Sequence, residues 1–321
     1  MSSNSLMSSC FYLLIKKMTN AVMELLTDPK PTKICAPMVR YSKHAFRLLV
    51  RKYDCDIAYT PMIVAKSFLE SDSCRQNEFI TSKDDTPLIV QFAAKNAKEF
   101  SEASELIYPF ASGVGLNCGC PQRWAMAEGY GAKLLQKPEE IVDFIRFTKA
   151  LVSDEKFTIS VKIRLHEELA RTVEMCRGLE KAGASFVSVH GRTSKERHQP
   201  VHYDAIKILK ESVSIPIVAN GGVNTYEDFD KVHKMTGANG VMVAQGLLNN
   251  PALFQGYKTT PLSCVKDWLD ISLSYGTPFT PFHNHLIYML DNVTSRAEKR
   301  IFNNLQSTPA VLEFLNKYFV D

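Results

Sequence analysis

A thiol and five polar side chains are spaced along this chain so that they could share one site. Cys118-Gly119-Cys120-Pro121 follows the apolar run Gly113 to Leu116, with Asn117 directly before it. A proline cannot continue a strand, and a helical pattern resumes at Trp124 to Glu128. The cysteines therefore mark a strand end. A thiol there could serve as nucleophile, metal ligand or proton donor. We read Cys120 as the group that does chemistry and Asn117 as one that helps hold its substrate. Cys118-x-Cys120 could also be half of a metal site, yet no second Cys/His pair at ligand spacing accompanies it. His283-Asn284-His285 lies far down the chain and reads as a surface or packing feature.

Period-two alternation supplies the partners. In Ile159 to Leu165 the apolar residues share one face, and Ser160, Lys162 and Arg164 share the other. Gln91 stands opposite Val90 and Phe92, His190 opposite Val187 and Val189, and Asn220 opposite Ile217 and Ala219. A lone Gln or Asn at a strand end is ordinarily a turn residue. A lone His in an apolar strand is ordinarily a packing residue, and a lone Lys a surface one. None of these readings accounts for Gln91, Asn117, Lys162, His190 and Asn220 recurring at the ends of separate strands. Small-residue turns, Asn220-Gly221-Gly222-Val223 and Val243-Ala244-Gln245-Gly246, close the last two. Backbone N–H groups at such turns bind phosphate.

The elements that must position these residues alternate. Strand patterns fall at 33–37, 57–61, 87–93, 113–117, 158–165, 185–190, 215–220 and 240–244. Helical patterns fall between them at 43–53, 98–109, 138–153, 167–182, 203–211 and 225–235. Gly183 and Gly237 stand where two of these helices should stop. Eight such strands predict an α/β fold, a (β/α)8 TIM barrel with its site at the C-terminal strand ends. After Pro251 the pattern turns helical, at about 265–272, 283–291, 296–305 and 309–318. The expected division is an N-terminal extension (1–29), a barrel (30–255) and a small helical domain (256–321). Arg296, Lys299 and Arg300 cluster at helical spacing in the last of these. They form either a solvated face or an RNA-phosphate contact.

Composition sets the limits. Of 321 residues 45% are hydrophobic and 22% charged, ordinary for a soluble enzyme. The net charge of +4 is mild: it permits an RNA partner without arguing for one. Eight cysteines with no secretory signal before them suit a reduced intracellular protein. Met1 to Asn20 is Ser-rich, and its apolar run is far too short to span a bilayer. It reads as a loose extension or peripheral helix, with an organellar presequence the weaker alternative. A monomer in the cytoplasm or nucleus, without a membrane, is the expectation.

From about Asn20 onward the chain resembles the tRNA-dihydrouridine synthases. The resemblance is carried by Ala36-Pro37-Met38-Val39, Gln91-Phe92-Ala93-Ala94, Leu116 to Gln122, Val161-Lys162-Ile163-Arg164, Val189-His190-Gly191-Arg192-Thr193, Ala219-Asn220-Gly221-Gly222 and Gly240 to Ala244. The tail with Ser295 to Arg300 looks like the eukaryotic type-four branch, similar to enzymes that modify D-loop positions 20a and 20b. The resemblance implies FMN as cofactor, NADPH or NADH as reductant, and tRNA as partner. Pro37, Met38 and Val39 would lie along the flavin, Gln91 and Lys162 at its polar edge, and His190 beside its chain. Asn220, Gly221, Gly222, Ala244 and Gln245 would take the phosphate. Cys120 corresponds to the family's proton donor and Asn117 to a uracil contact, with Arg164, Arg192, Arg296, Lys299 and Arg300 as further substrate contacts. Hydride would reach uracil C6 from the flavin, and Cys120 would protonate C5.

The chain departs from the family pattern at Gln245, where the family usually has Arg. A backbone contact to phosphate survives that change, but a bidentate guanidinium contact does not. Weaker FMN binding is the expectation. Two other readings stay open: a flavin barrel acting on a free pyrimidine, and a tRNA-binding protein with little or no turnover.

Overall fold

The alternation of side chains along the strands becomes an inside and an outside. The computed structural model describes residues 20–319, so residues 1–19 of the expected extension (1–29) lie outside the described residues, while 21–27 form a helix that buries Val22 and Leu26. The chain begins with α1 (Ala21–Thr27), β1 (Thr32–Cys35), α2 (His44–Lys52) and β2 (Ile57–Tyr59). A two-residue strand, β3 (Ile63–Val64), leads to α3 (Ala65–Glu70) and α4 (Asp72–Glu78). Next come β4 (Leu88–Ala93), α5 (Ala97–Ile107), β5 (Gly113–Cys118), α6 (Arg123–Ala127) and α7 (Pro138–Leu151). The pattern runs on through β6 (Thr158–Leu165), α8 (Leu169–Ala182), β7 (Phe186–Thr193) and α9 (Tyr203–Ser212). It closes with β8 (Ile217–Asn220), α10 (Tyr226–Thr236), β9 (Gly240–Val243) and the short α11 (Gln245–Asn249).

Every pairing is parallel. β1 pairs with both β2 and β9, and β2 pairs with β4, so the sheet closes into a barrel of eight strands. β3 carries the line of β2 onward and pairs with the far end of β4. The fold is the expected TIM barrel. Ile159, Val161 and Ile163 are buried, while Ser160 turns inward to bond the Val114 carbonyl and the Tyr59 hydroxyl. Gly183 and Gly237 end α8 and α10 in the left-handed region, which suits glycine because a Cβ would clash there. α3 and α4 had no counterpart in the sequence reading. Each is only six or seven residues long, split at Ser71, whose hydroxyl caps α4. Runs that short show no helical period.

The C-terminal region is helical: α12 (Leu262–Ser274), α13 (Phe279–Leu290), α14 (Arg296–Phe302) and α15 (Thr308–Phe319). α12 packs against α2. Lys52 and Tyr53 at the end of α2 bond the Asp267 carboxylate, and Trp268 beside it is 1% exposed. His283 and His285 are packing residues. His283 Nε2 bonds the Phe302 carbonyl at 2.9 Å, and His285 Nε2 bonds the Tyr41 carbonyl in the β1–α2 turn at 3.1 Å.

Candidate active site

Register in the barrel sets the polar strand ends beside one another. Asn117 aligns with Lys162, Arg164 with His190, and His190 with Asn220. The side chains then join in pairs. Asn117 Nδ2 donates to Gln91 Oε1 at 2.8 Å, and Lys162 Nζ donates to Asn220 Oδ1 at 2.9 Å. Asn220 Nδ2 donates in turn to the Met242 carbonyl, tying β8 to β9. The five residues that the alternation singled out converge on the mouth.

The electrostatics are those of a site crowded with basic groups. Burial, and then the Arg164 charge, pull the Lys162 amine down to about 7. Its hydrogen-bond acceptor, Asn220, is neutral. His190 is pulled down to about 2 by burial and by Lys162, Arg164 and Arg192. It is therefore neutral at physiological pH. Its Nε2 lies 3.2 Å from Arg192 Nη1, so that nitrogen accepts and the proton sits on Nδ1. Gln91 Nε2 is buried with no partner.

Cys120 is held from three sides. Asn117 Oδ1 accepts from the backbone N–H groups of Gly119 and Cys120, at 3.1 and 3.0 Å. The Cys120 carbonyl accepts from Ala132 N–H at 3.0 Å. Gly131 (φ +64) passes so close that a Cβ there would lie 2.6 Å from the Cys120 oxygen. Arg164 completes the hold by donating to the carbonyls of Gly119 (3.1 Å), Thr193 (2.7 Å) and Glu196 (3.1 Å). The loop after β5 is thereby fastened to the loop after β7. Cys120 is partly exposed beside Ala93, Ala125 and Tyr130. Cys118 is fully buried, and burial pushes its thiol up. Asn117 and Arg164, expected as substrate contacts, thus have their side chains engaged in holding the Cys120 loop. Gly131 and Glu196 were missed by the sequence reading. A Gly-x-Gly at 129–131 signals a turn, but nothing in sequence says that it lies against Cys120.

The other expected residues fall as follows. The Pro37-Met38-Val39 turn is pinned, because Met38 N–H donates to Ser42 Oγ and its carbonyl accepts from Tyr41 and Ser42 N–H. Met38 is buried and Val39 exposed. Gly221 and Gly222 both have positive φ. A Cβ at Gly221 would lie 2.9 Å from the His190 ring, and one at Gly222 would run into the Tyr203 hydroxyl. Ala244 precedes α11, whose first residue is Gln245. The free N–H groups of such a start face outward along the axis. Gln245 is exposed, and its Nε2 folds back to Asn249 Oδ1. Arg192 Nε bonds the Gln199 carbonyl. Arg296, Lys299 and Arg300 lie on α14. Lys299 pairs with Asp291 at 2.8 Å, whereas Arg296 and Arg300 are exposed one turn apart. None of the three bonds a barrel-mouth residue among the described contacts.

These residues fit a flavin mononucleotide. An orphaned amide donor on Gln91 and a buried amine on Lys162 suit a planar group with acceptors along one edge. Two left-handed glycines and a helix start suit a phosphate at its tail.

Residues 34–311 match the profile of the family Dihydrouridine synthase (Dus). A Mus musculus protein named tRNA-dihydrouridine(20a/20b) synthase (NAD(P)+)-like is 56% identical over 299 residues, 93% of this chain and 92% of that protein. The tRNA-dihydrouridine(20a/20b) synthase (NAD(P)+) of Saccharomyces cerevisiae is 38% identical, covering 91% of this chain and 81% of its own. Among solved structures, the old yellow enzyme from Trypanosoma cruzi superposes with a TM-score of 0.51 at 10% identity, over 70% of this chain and 86% of that one. That last likeness is one of fold.

Proposed function

This chain belongs to the dihydrouridine synthase family, and from that premise we propose that it reduces the C5=C6 bond of uridine in tRNA, at positions 20a and 20b, with FMN bound and NAD(P)H as reductant. The relatives named for that activity match over nine-tenths of the chain, a share too large to omit the C-terminal helical region. This coverage favours a tRNA substrate over a free pyrimidine. No helix among the described residues is long and apolar enough to cross a membrane. A cytoplasmic monomer remains part of the reading.

One observation carries the chemistry: Cys120 is fixed at the rim of a mouth whose floor offers an unused donor, Gln91 Nε2, and the Lys162 amine, which donates to Asn220 Oδ1. When bound there, the flavin would take two electrons from NAD(P)H and pass them as hydride to uracil C6. Hydride addition builds enolate charge on the ring, which a positioned acid quenches. Cys120 Sγ–H gives that proton to C5, and the thiolate recovers one from solvent. Lys162 and Gln91 would hold the polar edge of the cofactor, and Lys162 would lend positive charge where negative charge grows. Arg164 and Asn117 keep the Cys120 loop in place. Arg296 and Arg300 would meet RNA phosphates.

The test is direct. Purified protein with NADPH and unmodified tRNA should form dihydrouridine at 20a and 20b, mapped base by base. Cys120→Ala should retain its yellow flavin spectrum while turnover falls by roughly 10²–10⁴-fold. Unchanged turnover in that variant would remove Cys120 from the reaction.

A further inference from the structure

A second cavity, of about 580 Å³, opens between the β1–α2 turn and the elbow joining α12 to α13. Nothing in the chemistry above uses it. We propose that it receives the adenylate half of the nicotinamide coenzyme, the end that takes no part in hydride transfer. The proposal rests on the reading of NAD(P)H as reductant and assigns that coenzyme a place on this chain.

Position argues first. A dinucleotide has two heterocyclic ends joined by a pyrophosphate, so its idle half must dock away from the reacting one. Arg40 in the cavity wall lies two residues beyond Met38, and two residues span at most ~7 Å. One turn therefore borders both the barrel mouth and the cavity. The volume lies within the usual range of small-ligand pockets.

Chemistry argues next. The Arg40 guanidinium makes no hydrogen bond or ion pair among the described residues, and its backbone is held at φ +72. That left-handed conformation is uncommon for a residue with a side chain and tends to occur where function demands it. A free guanidinium on a fixed turn suits a phosphate. Across the elbow, Tyr275 is half exposed and meets the His44 ring edge-on, leaving aromatic surface for a base.

Two buried histidines in the same wall each keep an Nδ1 with no partner, His44 and His285. Buried polar atoms are nearly always bonded, so two orphans in one wall ask for an explanation. In His285 the proton sits on Nε2, which donates to the Tyr41 carbonyl. Its Nδ1 is then a lone pair without a donor, set within the wall between Phe46 and Trp268.

The experiment uses ADP-ribose, the coenzyme without its nicotinamide, titrated calorimetrically into the full protein. It should bind the wild type and bind Arg40→Asn and Tyr275→Ala at least ~tenfold more weakly, a loss of about 1.4 kcal/mol. Asn is chosen because it tolerates the left-handed region. KM for NADPH should rise by the same factor, with kcat at saturating coenzyme and tRNA affinity both unmoved. Thr280→Trp, on the exposed rim, should block ADP-ribose by filling the opening while leaving Arg40 and Tyr275 in place. Equal ADP-ribose affinity in all four proteins overturns the proposal. So does a fall in tRNA affinity with KM for NADPH unchanged, which would give the cavity to an RNA base. ADP-ribose binding needs no turnover, so a protein that binds it as described yet forms no dihydrouridine would refute the proposed reaction and leave this site standing.

Discussion

Lys162 is held where its charge is costly. Burial and Arg164 lower its amine from 10.5 to about 7. Between those values the unfolded chain holds a proton that the folded chain does not, so this residue makes stability rise with pH across that window. Its cost is fully present below pH 7 and relieved above about 10.5, and it amounts to at most ~5 kcal/mol. Denaturant unfolding of Lys162→Met without flavin should therefore show a flatter rise from pH 7 to 10 than the wild type. Parallel curves would mean that the amine stays charged in the fold. Gln245 gives a second prediction. An Arg there can reach a phosphate with two charge-assisted bonds, each worth ~1.5–3 kcal/mol. Gln245→Arg should tighten FMN binding at least ~tenfold by fluorescence titration. No change would show that the backbone N–H groups at Gly221, Gly222 and the start of α11 suffice.

At the scale of elements, the loop after β5 is where sequence and structure part most instructively. Alternation fixes what a strand residue faces, so Gln91, Lys162, His190 and Asn220 were legible as inward. A loop has no period. That Asn117 spends its oxygen on the N–H groups of Gly119 and Cys120, and that Arg164 reaches three carbonyls on two loops, depends on contacts between distant segments. The eight strands and the long helices were legible for the same reason, and α3 and α4 were not. The loop geometry predicts a split between substitutions. Asn117→Ala removes both the acceptor for the loop and the donor to Gln91, and should lower turnover by about 10²-fold, the usual effect of ~1 Å misplacement. Asn117→Asp keeps the acceptor and should recover part of that loss, with flavin loading similar in both. Equal activity of the Ala variant and the wild type would free Asn117 from this role.

Across the whole molecule, the C-terminal helices pack on the barrel, α12 against α2. Trp268 is buried among them, its Nε1 bonds the Phe282 carbonyl, and its ring packs against His285. Trp268→Ala should cost about 3–5 kcal/mol in unfolding, as large-to-small changes in cores do. It should also weaken tRNA binding more than flavin binding. A cost under ~1 kcal/mol would mean that these helices rest loosely on the barrel.

Barrel closure has a consequence in time. Thr32 pairs with Gly240, and the Tyr41 carbonyl waits for His285. The candidate cofactor residues run from Pro37 to Gln245. While the chain is being made, its first strand has no last strand to join, and the turn that follows lacks its His285 partner. Pairings this distant in sequence are slow to form. The mouth is thus complete only once the chain has been made past Gln245, and a cofactor held from Pro37 to Gln245 would be captured after every barrel strand exists.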